Sequence, residues 1–153
     1  MNINIQFDPD DFLKGLNKAN EIVLQAIERG MGVAMLSMLG DCVMETPTVP
    51  LKEGWLRGSG SIFVQNKFIS TSETMPTAKM KYALTSFVEG IPEKQVEGVI
   101  GFNAPYAAKM HEGIDFHFTE PSSGAKYLET KMHRNKNRYV EIIADEVKKD
   151  LKS

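Results

Sequence analysis

Cysteine and tryptophan each occur once in the 153 residues, as Cys42 and Trp55. A single thiol cannot close an internal disulfide, so stability must come from packing, as in a protein made in a reducing cytoplasm. Long uncharged runs are also missing. In the first helical region the stretch free of charge, Gly30 to Gly40, is eleven residues long, short of the roughly 18 apolar residues that mark a membrane span. No membrane partner is therefore expected. The N-terminus, MNINIQFDPDD, has no basic segment followed by an apolar one, so no secretory leader is expected either. There is no internal repeat and no low-complexity tract. What is present is 42% apolar and 25% charged residues, enough to build one core and too apolar for a disordered tail. One domain, 1–153, is the expectation.

The net charge of −2 is unevenly spread. Residues 1–50 carry 3 basic and 7 acidic groups, whereas residues 121–153 carry 8 and 5. Ends of opposite sign suit identical subunits that meet head to tail, although a lysine-rich tail is equally the solvated face of a helix.

The first strong signal is a helix start. Asp8 stands as N-cap with Pro9 at the first helical position, Asp10 and Asp11 face the positive end of the dipole, and Phe7 and Phe12 are spaced as a staple. Phe12, Leu16, Ala19, Val23, Ala26, Ile27 and Gly30 then follow at steps of three or four. Gly30 and Gly32 are expected to kink or split this helix before Val33 to Met44, and Pro47 and Pro50 to end it. The half from Met31 to Leu39 is apolar nearly all round, which predicts burial on most sides. The turn-rich passage PLKEGWLRGSG leads into a strand predicted over Ser61 to Thr71, with further strands over Met80 to Val88 and Glu97 to Phe102. No helix-length crossover separates them, so the sheet should be antiparallel. A short helix is expected between Pro105 and Gly113, with Tyr106 and Met110 on one face. Residues 114–120 alternate as a short edge strand would, and helical spacing returns from Ala125 through Leu128, Met132, Tyr139, Ile143 and Val147. The fold class is thus α+β. A long N-terminal and a C-terminal helix pack on a small antiparallel sheet, with a short helix after the Pro-Tyr-Ala segment.

No constellation for catalysis is visible. His111 and Glu112 suggest a fragment of a metal site, and with His117 a small metal-dependent hydrolase. The positions one helical turn before His111 are Ala107 and Ala108, however, and the helix stops at Gly113, so no second ligand shares that face. Ser59 and Ser61 lack the strand-elbow-helix order of a G-x-S-x-G hydrolase, and the GSGS run lacks the Gly-Lys ending of a phosphate loop. The paired Asp10 and Asp11 are explained by capping. No cofactor is implied, and the chain does not read as an enzyme. The cluster Lys126, Lys131, Arg134, Lys136 and Arg138 is the best candidate for a nucleic-acid-binding module on the last helix. At about 100° per residue, though, these side chains spread around the axis without an aromatic platform.

Three segments in order are more informative than any one of them. TPTVPLKEGWLRGSGSIFV resembles the proline, Thr-Gly-x-Leu-Arg-x-Ser segment of the tail-component and minor-capsid family of tailed bacteriophages, carried here by Pro47, Gly54, Leu56, Arg57 and Ser59. GVIGFNAPYAAKMHEG is similar to that family's strand followed by Pro-Tyr-Ala and Glu-x-Gly, on Gly101, Pro105, Tyr106, Ala107, Glu112 and Gly113. PSSGAKYLETKM resembles its Pro-x-x-Phe-Leu helix start, on Pro121, Tyr127 and Leu128. With the N-terminal helix the resemblance spans nearly the whole chain. It departs where Glu53 stands for Thr, where Glu112 and Gly113 are adjacent, where Ile114 replaces Thr and where Tyr127 replaces Phe.

The resemblance implies a structural virion protein at the head-tail junction, a neck, connector or tail-completion component made in the host cytoplasm and built into a ring. Its partners would be copies of itself, six-fold about the tail axis or twelve-fold to match a portal. Neighbouring neck, portal-side or tail proteins would complete the set, with at most a passing contact with packaged DNA. Interface residues implied are Trp55, Leu56, Arg57, Ser59, Tyr106, Glu112, Tyr127 and Leu128. Trp55 is also the type of residue that plugs a core between helix and sheet, and Tyr106 reads as a core residue whose hydroxyl reaches a backbone group. Arg57 would clamp a carboxylate on a neighbouring subunit or on its own N-terminal helix.

Overall fold

VEGVIGF, residues Val96–Phe102, is buried along its whole length, which suits the centre of a sheet. A computed structural model of the chain describes residues 1–7, 21–65, 67–71 and 95–152. Its elements are β1 (Asn2–Phe7), α1 (Glu21–Met44), α2 (Trp55–Gly58), β2 (Gly60–Val64), β3 (Lys67–Thr71), β4 (Val96–Phe102), α3 (Ala107–Glu112), α4 (Tyr127–Arg134) and α5 (Lys136–Leu151). Among the described residues the strands form one sheet in the order β1-β4-β2-β3, and every pairing is antiparallel. This is the α+β arrangement of two long helical ends around a small sheet.

Register decides which side chains meet α1. Ile62 pairs with Ile100, Val64 with Gly98 and Ile5 with Gly98, so Ile5, Ile62, Val64, Val96, Ile100 and Phe102 share one face. All six are buried in the core with Val23, Ile27, Met31, Met35 and Leu39 of α1. Gly98 leaves the hollow into which α1 settles, because a Cβ there would overlap the Met31 and Met35 side chains. On an adjoining face α1 runs against α5. The close point is Gly30, where an added Cβ would lie 2.9 Å from Ile143 Cα. The two helices are tied at both ends. Arg29 reaches Glu146 at 3.2 Å and Asp150 at 2.9 Å, while Asp41 accepts from Tyr139 Oη at 2.6 Å and Asn135 Nδ2 at 3.2 Å and pairs with Arg138.

Several expectations change. Gly30 and Gly32 do not break α1, since the tight crossing with α5 and the sheet hold it as one helix of 24 residues. By length and composition α1 is apolar enough to cross a membrane, with a mean hydropathy of 1.4 in its best window, 56% of which is buried inside the fold. Counting only the charge-free run excluded such a span too strictly. The expected strand Ser61 to Thr71 is a hairpin, β2 and β3, that turns at Gln65 with φ 50° and carries a register shift at Ile62/Phe63. Residues 114–120 are irregular and not an edge strand. Pro105 precedes α3 without joining it, and Asn135 separates α4 from α5. Strand β1 had not been expected. The helix start at Asp8 and the strand Met80 to Val88 lie outside the described residues.

Candidate functional site

The three segments singled out in the sequence fold into one hydrogen-bonded unit. Ser59 Oγ donates to Leu56 O at 2.7 Å and accepts from the Ala104 amide at 3.1 Å, which locks the start of β2 to the β4–α3 turn. Asn103 donates to Ser59 O through its amide at 3.0 Å and its side chain at 3.1 Å. The third segment joins where Thr48 N donates to Ser122 O at 2.7 Å, Gly124 N to Thr48 O at 3.2 Å and Lys126 N to His111 O at 2.7 Å. Tyr127 completes the unit. Its hydroxyl donates to Ala107 O at 3.2 Å, and its ring meets Phe102 and His111 edge to face at 5.4 and 5.0 Å.

This geometry sorts the expected interface residues into two groups. Leu56, Ser59, Tyr127 and Leu128 are buried inside the subunit, and of these Leu56 alone lines the cleft described below. Arg57 is buried too. Its guanidinium donates to Val49 O at 2.9 Å and lies 3.9 Å from Glu120. Burial lowers its pKa from the ordinary arginine value, and the Glu120 charge opposes that shift. Trp55, Tyr106 and Glu112 form the second group. Trp55 is half-buried and donates from Nε1 to Glu53 at 3.1 Å. Tyr106 is 39% exposed at the start of α3, so the core reading of its ring does not hold.

Trp55 and Tyr106 both line a cleft of about 510 Å³. Pro50, Glu53 and Leu56 line the loop wall with Trp55, while Met110 lines the helix wall with Tyr106, as their four-residue spacing requires. Phe116 closes one side, 41% exposed, and Lys109 Nζ sits 6.0 Å from its ring centroid. Lys52 and Lys109 line the cleft.

Beside it, His111, Glu112 and Glu129 bring ligand-type atoms within 4.8 Å of one another. The cation at this point is the Lys126 ammonium, which pairs with Glu112 and lies 3.0 Å from Glu129. His111 is committed on both ring nitrogens: Nδ1 to Glu112 at 2.7 Å and Nε2 to the Glu129 amide at 3.4 Å. Lys126, then His111, holds the Glu112 carboxyl below the usual carboxylate range. His117 is exposed and stands outside the group.

The basic cluster of the last helices is mostly used internally. Lys131 Nζ donates to Pro47 O at 2.7 Å, Arg134 to Thr46 O at 3.0 Å, and Arg138 pairs with Asp41. With Arg57 on Val49 O, cations from elsewhere gather at the C-terminal end of α1, which has no basic residue in its own last turn. That end carries the negative pole of the helix and its unsatisfied carbonyls. Arg138 of the basic C-terminal segment thus pairs with Asp41 of the acidic N-terminal one within a single subunit. Sequence reasoning missed this cradle; the signal for it was the absence of lysine or arginine at the α1 terminus.

Comparison with protein-family models, curated proteins and solved structures finds no match for this chain.

Proposed function

We propose that this chain is a structural virion protein of a tailed bacteriophage, acting at the head-tail junction as a neck, connector or tail-completion subunit that assembles into a ring. One observation carries the reading: the three segments whose order resembles the tail-component and minor-capsid family, far apart in sequence, are joined into a single unit by Ser59, Asn103, Thr48 and Tyr127. The buried members of the motif hold that unit together, and the half-exposed ones, Trp55 and Tyr106, stand on its surface, where an assembly contact has to be made. Aromatic residues of this kind are enriched at the centres of protein interfaces. A head-to-tail contact between identical subunits closes into a ring when the rotation per subunit divides a full turn.

The test is electron microscopy of a lysate from a phage carrying an early stop codon in this gene. DNA-filled heads accumulating apart from finished tails are expected. Intact infectious virions would overturn the role.

A further inference from the structure

The cleft between the 50–56 loop and α3 has the size of a site for a ligand or a peptide anchor, which runs from about 300 to 1,000 Å³. Its apolar lining comes from Pro50, Trp55, Tyr106, Met110 and Phe116. Its charge comes from two lysines on different elements, Lys52 on the loop and Lys109 on the helix. Neither has a carboxylate partner among the described residues. Glu53, the one acidic residue of the lining, is drawn back to the Trp55 indole. An apolar slot lined by two ammonium groups complements an apolar side chain with carboxylates near it, and it repels the same anchor accompanied by cations.

We propose that this cleft docks an acidic peptide segment of another protein, an apolar side chain seated between Trp55, Tyr106 and Phe116 with neighbouring carboxylates on Lys52 and Lys109. The inference rests on the assembly role above, in which such a segment belongs to an adjoining virion protein.

Trp55 is the only tryptophan, so its emission reports on the cleft directly. The probes are six-residue peptides of the form Asp-Asp-Xaa-Xaa-Asp-Asp, with leucine, phenylalanine or tyrosine at the centre, and the same peptides with lysine in place of aspartate. At low salt the acidic peptides are expected to shift Trp55 emission to the blue in a saturable way and the basic ones to leave it unchanged. Lys109→Glu should weaken the acidic peptides about tenfold or more, by reversing one of the two charges that meet them. Lys52→Glu, on an exposed loop, gives a second and independent charge reversal. Absence of a shift with every acidic peptide, or equal shifts with both series, would overturn the proposal. Emission that moves with dilution of the protein alone would overturn it as well, by showing that a second copy fills the cleft. Failure here together with separated heads and tails in the stop-codon lysate would leave the assembly role standing and remove only this partner.

Discussion

Gly30 of α1 and Ile143 of α5 touch backbone to backbone: a Cβ placed on Gly30 would lie 2.9 Å from Ile143 Cα and 3.2 Å from Ile143 O. Both contacts are to main chain, so no side chain can swing away to make room. Gly30→Ala should therefore force the helices apart and cost about 1–3 kcal/mol, as overpacking does. Gly40 stands in the same helix with open space around it. There the substitution should stabilise by about 0.5–1 kcal/mol, because alanine loses less backbone entropy in a helix than glycine. Urea unfolding midpoints of the two variants check the pair, and equal effects would refute the close crossing.

The Ser59 hydroxyl serves two backbone groups, Leu56 O and the Ala104 amide. Ser59→Ala leaves both buried without that partner and should cost about 1–3 kcal/mol. Tyr106→Ala, at a half-exposed position on the cleft wall, should stay within about 0.5 kcal/mol. Thermal unfolding of both variants separates motif residues that hold the subunit together from those that face outward.

Cys42 is fully buried, and burial pushes its thiol from 9.0 to about 12. A folded-state pKa above the unfolded one means that the native chain holds the proton more tightly. The stabilisation this gives is complete below pH 9 and is lost as pH rises from 9 towards 12, at up to about 1.4 kcal/mol per pH unit. Cys42→Ala should flatten that part of the stability-pH curve, whatever it costs at neutral pH. The folded protein should also resist thiol reagents until it unfolds, which a reaction with 5,5′-dithiobis(2-nitrobenzoate) across a denaturant series would show.

Lys131 titrates with the opposite sign. Its side chain is fully buried on Pro47 O, and burial lowers its pKa from the ordinary lysine value of 10.5. The cost of keeping it charged is present in full at neutral pH and is relieved as pH rises through its folded pKa towards 10.5. Lys131→Met keeps the volume and removes this rise, but it strips Pro47 O of its donor at about 1–3 kcal/mol. Lys131→Ala adds a cavity and should cost more, about 2–5 kcal/mol in total. Guanidinium unfolding at pH 7 and pH 10 checks both the order and the slope.

Helices α1 and α5 and strand β4 were legible because burial imposes a period, and long periodic segments state their faces plainly. The α3 stop at Gly113 was legible for the same local reason. The hairpin turn was not. Gln65 takes a positive φ of 50°, a conformation usually left to glycine or asparagine, and what holds it there comes from residues 30 or more positions away. The interior role of Lys131 was hidden because lysine is rarely buried, and the carbonyl that receives its ammonium, Pro47 O, lies 84 positions away. The segments that carry Ser59, Tyr106 and Tyr127 stood out in the sequence, and the structure brings them together. Their sequence pattern did not separate buried from exposed members, since it holds both.

The Gln65 side chain behaves as one more rung of the sheet. Its Oε1 accepts from the Glu97 amide and its Nε2 donates to Gln95 O, both at 2.9 Å, while its own amide donates to Glu97 O at 2.9 Å. At the other end of the same ladder Asn103 grips Ser59 and Ser61. Strands β2 and β4 are thus bolted together at both ends by contacts of their own. Slippage by one residue, which would turn the core face to the outside, would break the contacts at both ends at once. Two short amide side chains thereby decide which face of the sheet the helix meets.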